Sequence, residues 1–88
     1  MSLESYRERI DDIDDELLRL FTERMAASRQ VALYKKEHAL PVLNADRERE
    51  VLKAVEDKSN DEVRPYAVKL YETILKLSRE YQEDVINA

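Results

Sequence analysis

No residue that breaks an α-helix occurs between Leu3 and His38, and this feature constrains the fold more than any other. Apolar side chains recur through this stretch at alternating steps of three and four residues, with one gap, the spacing that places them on one helix face. The pattern predicts a single helix of 36 residues, about 54 Å long. A helix of that length needs a partner along its apolar stripe, and a second copy of the chain is the natural candidate. The stripe consists of Leu3, Tyr6, Ile10, Ile13, Leu17, Leu20, Ala27, Val31 and Tyr34.

The remaining sequence predicts two further helices, so we expect an all-α fold in which residues 1–88 form one domain. The three helices are predicted over about residues 3–38, 45–58 and 64–86. Pro41 prevents the first helix from continuing, and a polar stretch before Pro65 separates the second helix from the third.

Local signals mark the starts of the two shorter helices. Asn44 is a good N-cap, and Pro65 suits the first turn of the last helix. Within the second helix the apolar residues are expected to be buried; they are Val51, Leu52 and Val55.

Composition excludes several classes of function. Lys and Arg number 15 against 20 Asp and Glu, and this net charge of −5 argues against nucleic acid as a partner. The chain has no cysteine, no glycine and one histidine, His38, which excludes disulfides, thiol nucleophiles, histidine metal sites and glycine-rich phosphate loops. No apolar run approaches the roughly 18 residues of a membrane span, so we expect a cytoplasmic protein without a membrane partner.

Four polar side chains lie where the helical pattern calls for apolar ones. Arg24 fills the gap in the first stripe, and Lys35 follows eleven residues later on the same face. In the third helix Ser78 and Gln82 lie one turn apart on the apolar face. These positions predict polar groups that point toward the interior from two helices.

The second helix adds Arg47 and Glu48 in its first turn, where unpaired backbone N–H groups attract anions. Each polar residue taken alone also has a structural interpretation, such as an arginine that snorkels or a lysine that complements the helix dipole. Together they predict a buried polar pocket, which is costly unless a complementary ligand fills it. The complement is a small dianion that carries neutral oxygens, and any catalysis there would rest on positioning and electrostatics.

In order and spacing, these residues resemble the all-α chorismate mutases of aromatic amino-acid biosynthesis. The resemblance spans nearly the whole chain. It rests on Arg7, Ile10, Asp11, Asp14, Leu17, Leu20, Glu23, Arg24, Val31, Lys35, Pro41, Val42, Asp46, Arg47, Glu48, Ser78 and Gln82.

The resemblance implies an intertwined homodimer of three-helix chains with two identical sites. It implies the Claisen rearrangement of chorismate to prephenate, on the route to phenylalanine and tyrosine, with no cofactor and no metal. Arg24 and Arg7 would hold the two carboxylates of the substrate. Lys35 would contact a carboxylate and the ether oxygen, to which Gln82 would also donate.

The same resemblance assigns the other side of the pocket. Glu48 would accept the ring hydroxyl, and Arg47 would help to order the site. Asn44 stands near that hydroxyl, where relatives often carry aspartate. Ser78 and Val31 would line the pocket.

One expectation follows from helix geometry. Arg7 and Arg24 are 17 residues apart, which is about 25 Å along a helix and roughly 100° around it. One chain cannot bring both side chains to a ligand less than about 10 Å across. If both serve one site, Arg7 comes from the partner subunit.

Two other functions fit the sequence. An isochorismate pyruvate lyase would use a similar cationic pocket on the same scaffold. A helical dimerisation module without a ligand would tolerate Arg24→Ala or Arg24→Leu, since either change relieves a buried charge.

Overall fold

The chain is described over residues 1–88 in a computed structural model, and it forms three α-helices and no strand. They are α1 (Leu3–Glu37), α2 (Ala45–Lys58) and α3 (Arg64–Ile86). The all-α prediction is confirmed, and each helix begins and ends within one residue of its predicted bounds. None of the three helices combines the length and the apolar character needed to cross a membrane.

Both ends of α1 are closed by local hydrogen bonds. At the start, the Ser2 hydroxyl accepts the Ser5 N–H at 3.1 Å, and the Ser5 hydroxyl accepts the Ser2 N–H at 2.9 Å. At the end, the Leu40 N–H donates to the Lys35 carbonyl at 2.8 Å, while Ala39 has a left-handed backbone with φ of 53°. This is a Schellman motif in which alanine occupies the position that favours glycine.

The two shorter helices begin where the sequence predicts. The Asn44 side chain accepts the Arg47 N–H at 3.1 Å, which caps α2. Pro65 lies in the first turn of α3. The turn before α3 is held by Asn60, whose side chain accepts the Val63 N–H at 2.8 Å.

The third helix contacts both of the others, whereas α1 and α2 do not contact each other. Few residues are buried within one chain: Ala32, Leu75, Ser28, Ser78 and Gln82. The prediction that the apolar side chains of α2 are buried is wrong. Because α2 packs against α3 alone, its inner face is only half-buried, at Val51, Leu52 and Val55.

The N-terminal half of the α1 stripe has nothing to pack against within the chain. Leu17 is 55% exposed and Ile10 is also 55% exposed. The molecule measures 54 × 27 × 14 Å, with a radius of gyration of 16.0 Å against about 12 Å for a compact chain of this length. Its accessible surface is 7076 Å², about 1,700 Å² more than a compact monomer of this mass.

Candidate active site

The gap between α1 and α2 forms a cavity of about 310 Å³, with α3 as its floor. This volume falls at the lower end of the range for small-molecule sites. Its lining comprises charged, polar and apolar side chains from all three helices and the α1–α2 connector. They are Arg24, Ala27, Ser28, Val31, Lys35, Val42, Asn44, Arg47, Glu48, Val51, Leu75, Ser78, Arg79 and Gln82.

The structure brings together all the predicted site residues except one. Those that line the cavity are Arg24, Val31, Lys35, Asn44, Arg47, Glu48, Ser78 and Gln82. Arg7 lies near the start of α1, about 25 Å along the helix from Arg24, and does not line the cavity of its own chain.

Lys35 is held in place by two acceptors. Its Nζ donates to the Val42 carbonyl at 2.6 Å and to Gln82 Oε1 at 3.0 Å. Burial lowers the pKa of Lys35 below its ordinary value of 10.5, and the opposing effect of the nearby Glu48 charge is smaller. An ammonium group has three N–H donors, so one remains for a ligand.

Gln82 is the centre of a buried polar cluster with Ser28 and Ser78. Its Nε2 donates to Ser28 Oγ at 3.0 Å and lies 3.4 Å from Ser78 Oγ. The two serine hydroxyls are 2.6 Å apart and link α1 to α3. Every buried side-chain nitrogen and oxygen in the chain has a hydrogen-bond partner. One Nε2 hydrogen is bound to Ser28. The predicted donation by Gln82 to a ligand therefore depends on the other Nε2 hydrogen, which makes the longer contact with Ser78.

Glu48 pairs with an arginine that the sequence analysis did not identify. Arg79 Nη1 lies 2.5 Å from Glu48 Oε1 and 2.6 Å from Oε2, which ties α3 to α2. Arg47 forms a more exposed pair with Glu50, at 3.2 Å along α2. Arg24 is half-buried and forms neither an ion pair nor a side-chain hydrogen bond.

The charge of the cavity is opposite to that of the chain. Four cationic side chains and one carboxylate line it, a formal balance of +3, whereas the whole chain carries −5. Cations that face one small space attract a small anion with more than one negative charge. No three His, Cys, Asp or Glu side chains are grouped so that they would hold a metal ion.

Two polar lining residues were missed, for different reasons. Ser28 lies on the same helix face as Arg24, Val31 and Lys35, at steps of four, three and four residues. This spacing is visible in the sequence, but the position in the stripe was given to the neighbouring Ala27. Arg79 gives no local signal, because its partner Glu48 is 31 residues away in sequence.

The sequence of the chain matches one known protein family. The family model described as Chorismate mutase type II matches residues 6–83. The chain belongs to this family. The match spans nearly the whole length of the three helices, so the chorismate mutase fold includes every residue that lines the cavity. No curated protein and no solved structure gives a significant match.

Proposed function

We propose that this protein is an isomerase that converts chorismate to prephenate without a cofactor, in the cytoplasm, on the route to phenylalanine and tyrosine. In this rearrangement the ether C–O bond of the enolpyruvyl arm breaks while a new C–C bond forms to the ring. No proton is transferred and no covalent bond to the protein is needed. The cavity suits such a reaction, since it offers cations and hydrogen-bond donors around a space for one small ligand.

The observation that carries this proposal is the arrangement of Lys35 beside Gln82. Negative charge develops on the ether oxygen as the C–O bond breaks. Lys35 Nζ donates to Oε1 of the Gln82 amide at 3.0 Å, so the third Lys35 proton and the weakly held Nε2 hydrogen of the same amide would both serve the ether oxygen from one wall of the cavity. Donors fixed before the reaction stabilise this charge more in the transition state than in the ground state.

The carboxylates of chorismate would be held by the arginines. Arg24 has no partner within the chain, so a ligand carboxylate would satisfy it. Lys35, eleven residues further along the same helix face, would also contact a carboxylate. Arg47 at the start of α2 would order the site, and Val31 and Ser78 would shape the wall against which the ring lies. Holding the flexible arm over the ring is an orientation effect.

The ring hydroxyl would lie at the α2 end of the cavity. Glu48 would accept a hydrogen bond from it, and the Asn44 amide, whose oxygen already caps α2, has N–H groups left to donate. An amide at position 44 in place of a carboxylate changes the affinity for this hydroxyl without removing the helix cap.

We also propose that the site is completed by a second copy of the chain. The exposed half of the α1 stripe and the excess surface of about 1,700 Å² per chain favour an obligate dimer, whose interfaces bury roughly 2,000–5,000 Å² in total. A groove of about 540 Å³ beside the cavity shares Arg24 and Arg47 with it and continues to Tyr71 on α3. The start of the partner's α1 would occupy this groove and present Arg7 to the second carboxylate.

The test is the loss of chorismate absorbance on addition of the purified protein, with prephenate identified by mass spectrometry. We expect catalytic conversion at submicromolar enzyme. If chorismate is unchanged and isochorismate yields pyruvate and salicylate, the protein is a lyase and the proposal is wrong. If neither substrate reacts, the cavity has no catalytic function of this class and a dimerisation module becomes the better interpretation.

A further inference from the structure

Arg79 lines the cavity without a role in the function proposed above. It lies on α3 between Ser78 and Gln82, and its side chain crosses to α2, where Nη1 contacts both carboxylate oxygens of Glu48 at 2.5 and 2.6 Å. This is the one ion pair in the chain that joins two helices; the others link residues three or four positions apart on exposed helix faces or turns.

The Glu48 carboxylate also interacts electrostatically with a second cation, Lys35. Glu48 acts electrostatically on Lys35, yet no hydrogen bond or ion pair joins the two side chains. Two of the three N–H groups of the Lys35 ammonium donate to Val42 and Gln82, and the third has no partner in the chain. A carboxylate released from Arg79 would therefore find an available ammonium proton nearby.

We propose that Arg79 is a positioning residue that holds the Glu48 carboxylate on the α3 side of the cavity and prevents it from closing onto Lys35. The third Lys35 proton then stays available for the ether oxygen of the substrate. This inference rests on the proposed chorismate mutase activity. It gives Arg79 an indirect part in catalysis, through Glu48, with no contact to the reacting atoms.

The physical reason is competition between two cations for one anion. A carboxylate paired with Lys35 would neutralise the charge that stabilises the transition state, and would replace a donor to the substrate with a donor to the protein. Arg79 wins this competition because a guanidinium presents several donors to both oxygens, whereas an ammonium acts as a point charge. The other charged groups that line the cavity are cations: Arg24 on α1 and Arg47 on α2.

A double-mutant cycle tests the inference. Arg79→Met should lower kcat/KM for chorismate by about tenfold or more, because Glu48 then pairs with Lys35. Glu48→Gln should lower kcat/KM on its own account. Adding Arg79→Met to Glu48→Gln should cause less than about a twofold further loss, since no carboxylate remains to block Lys35. Arg79→Lys should retain part of the activity.

A second measurement does not depend on turnover. With ¹³C-labelled lysine, the NMR titration of Lys35 in the free protein should show a pKa increase on Arg79→Met, because a paired carboxylate favours the charged ammonium. That increase should be much smaller when the same change is made in the Glu48→Gln background, where only the loss of the Arg79 charge acts on Lys35.

The matched control is Arg49→Met, which removes another arginine–carboxylate pair, with Asp46 on the exposed face of α2. It should leave kcat/KM and the Lys35 titration unchanged. Circular dichroism establishes that each variant is helical; if Arg79→Met alone does not fold, the comparison uses Arg79→Lys and the double variant.

The outcomes separate this inference from the proposed function. A wild-type protein without activity on chorismate refutes the function. An active wild type in which Arg79→Met has full activity, or loses as much in the Glu48→Gln background as in the wild type, refutes the positioning role. Equal losses in both backgrounds would mean that Arg79 binds the substrate directly or serves only stability.

Discussion

Lys35 connects the fold of the chain with its chemistry. Its backbone carbonyl accepts the N–H that closes the end of α1, and its ammonium group binds the Val42 carbonyl in the connector that follows. The side chain is thereby fixed before a ligand arrives. The partial burial that fixes it also destabilises its charged form and so lowers the pKa of Lys35.

The first prediction concerns pH. Burial lowers the pKa of Lys35 below 10.5, and in the proposed mechanism the positive charge of the ammonium stabilises the ether oxygen. We therefore expect kcat/KM to decrease as the pH rises through this lowered pKa, at a pH below that of an ordinary lysine. The measurement is kcat/KM over roughly pH 6 to 10.5.

The control for the pH profile is Lys35→Arg, which keeps a positive charge throughout this range. Its activity is expected to be lower, because the longer side chain does not reproduce both Lys35 hydrogen bonds, but its profile should lack the basic decrease. The same decrease in both proteins would assign it to another group.

The second prediction concerns Arg24. Arg24→Ala should lower kcat/KM by at least about 100-fold, the size expected for a lost charged contact to a carboxylate in a desolvated site. Helix content and the melting temperature should not decrease, because Arg24 has no partner within the chain. The matched control is Arg29→Ala, on the exposed side of the same helix, which should be fully active. Full activity of Arg24→Ala would remove Arg24 from the site and favour a dimerisation module.

At the scale of single residues, the sequence predicts which side chains line the cavity, but it does not predict which partners those side chains contact. Arg24, Lys35 and Gln82 stand out because each interrupts a helical pattern, which is a property of the sequence itself. The pairing of Glu48 with Arg79 is invisible in sequence because it depends on the distance between α2 and α3. The direction of the Gln82 amide was unpredictable for the same reason, since Lys35 and Ser28 together set it.

At the scale of the elements, the end of α1 is the position where the local sequence fits least well. Ala39 adopts φ of 53°, a left-handed conformation that is unfavourable for any residue with a Cβ atom. The sequence by itself does not indicate this conformation, because an alanine carries no signal for a Schellman motif. The connector that follows supplies the Val42 carbonyl to Lys35, so this strained turn belongs to the support of the site.

The third prediction follows from this turn. Ala39→Gly should stabilise the protein by about 0.5–1 kcal/mol, because relief of the left-handed strain exceeds the entropy that glycine adds to the unfolded chain. Urea unfolding at one fixed protein concentration measures the change. Ala26→Gly, in the exposed middle of α1, is the control and should destabilise by about 1 kcal/mol. Destabilisation by Ala39→Gly would contradict the assigned backbone conformation.

The three helices themselves were predictable because their signals are local. Unbroken periodicity defines α1, Asn44 caps α2, and Pro65 starts α3. Burial was less predictable, because it depends on which helices meet. The inner face of α2 remains half-buried since α2 packs on α3 alone, which an apolar pattern within α2 does not indicate.

At the scale of the molecule, the dominant property is its flatness. A thickness of 14 Å in the shortest direction leaves the apolar side chains of the α1 stripe without cover. Only Ala32 and Leu75 form a buried apolar core within the chain. So small a core favours the proposed dimer, in which a second copy that packs along α1 would supply the missing core.

The fourth prediction is that the protein is a dimer whose folding depends on this stripe. Light scattering should give twice the chain mass of 10.4 kDa. Leu17→Glu places a charge in the stripe and should dissociate the dimer, with a large loss of helix content. Thr22→Glu, on the opposite face of α1, is the control and should change neither property. A folded dimer for Leu17→Glu would show that the stripe is not the interface, and a folded monomer would contradict the claim that folding depends on it.

The most direct test of the account is to mix two inactive variants, because the central claim is that one active site is built from two chains. Arg7→Ala and Arg24→Ala each damage both sites of their own homodimer. In a mixed dimer, one site would carry both changes and the other neither, so equal mixing should restore about a quarter of the wild-type activity on chorismate. If native mass spectrometry shows that the subunits have exchanged and no activity returns, Arg7 does not act across the interface and the shared site is refuted.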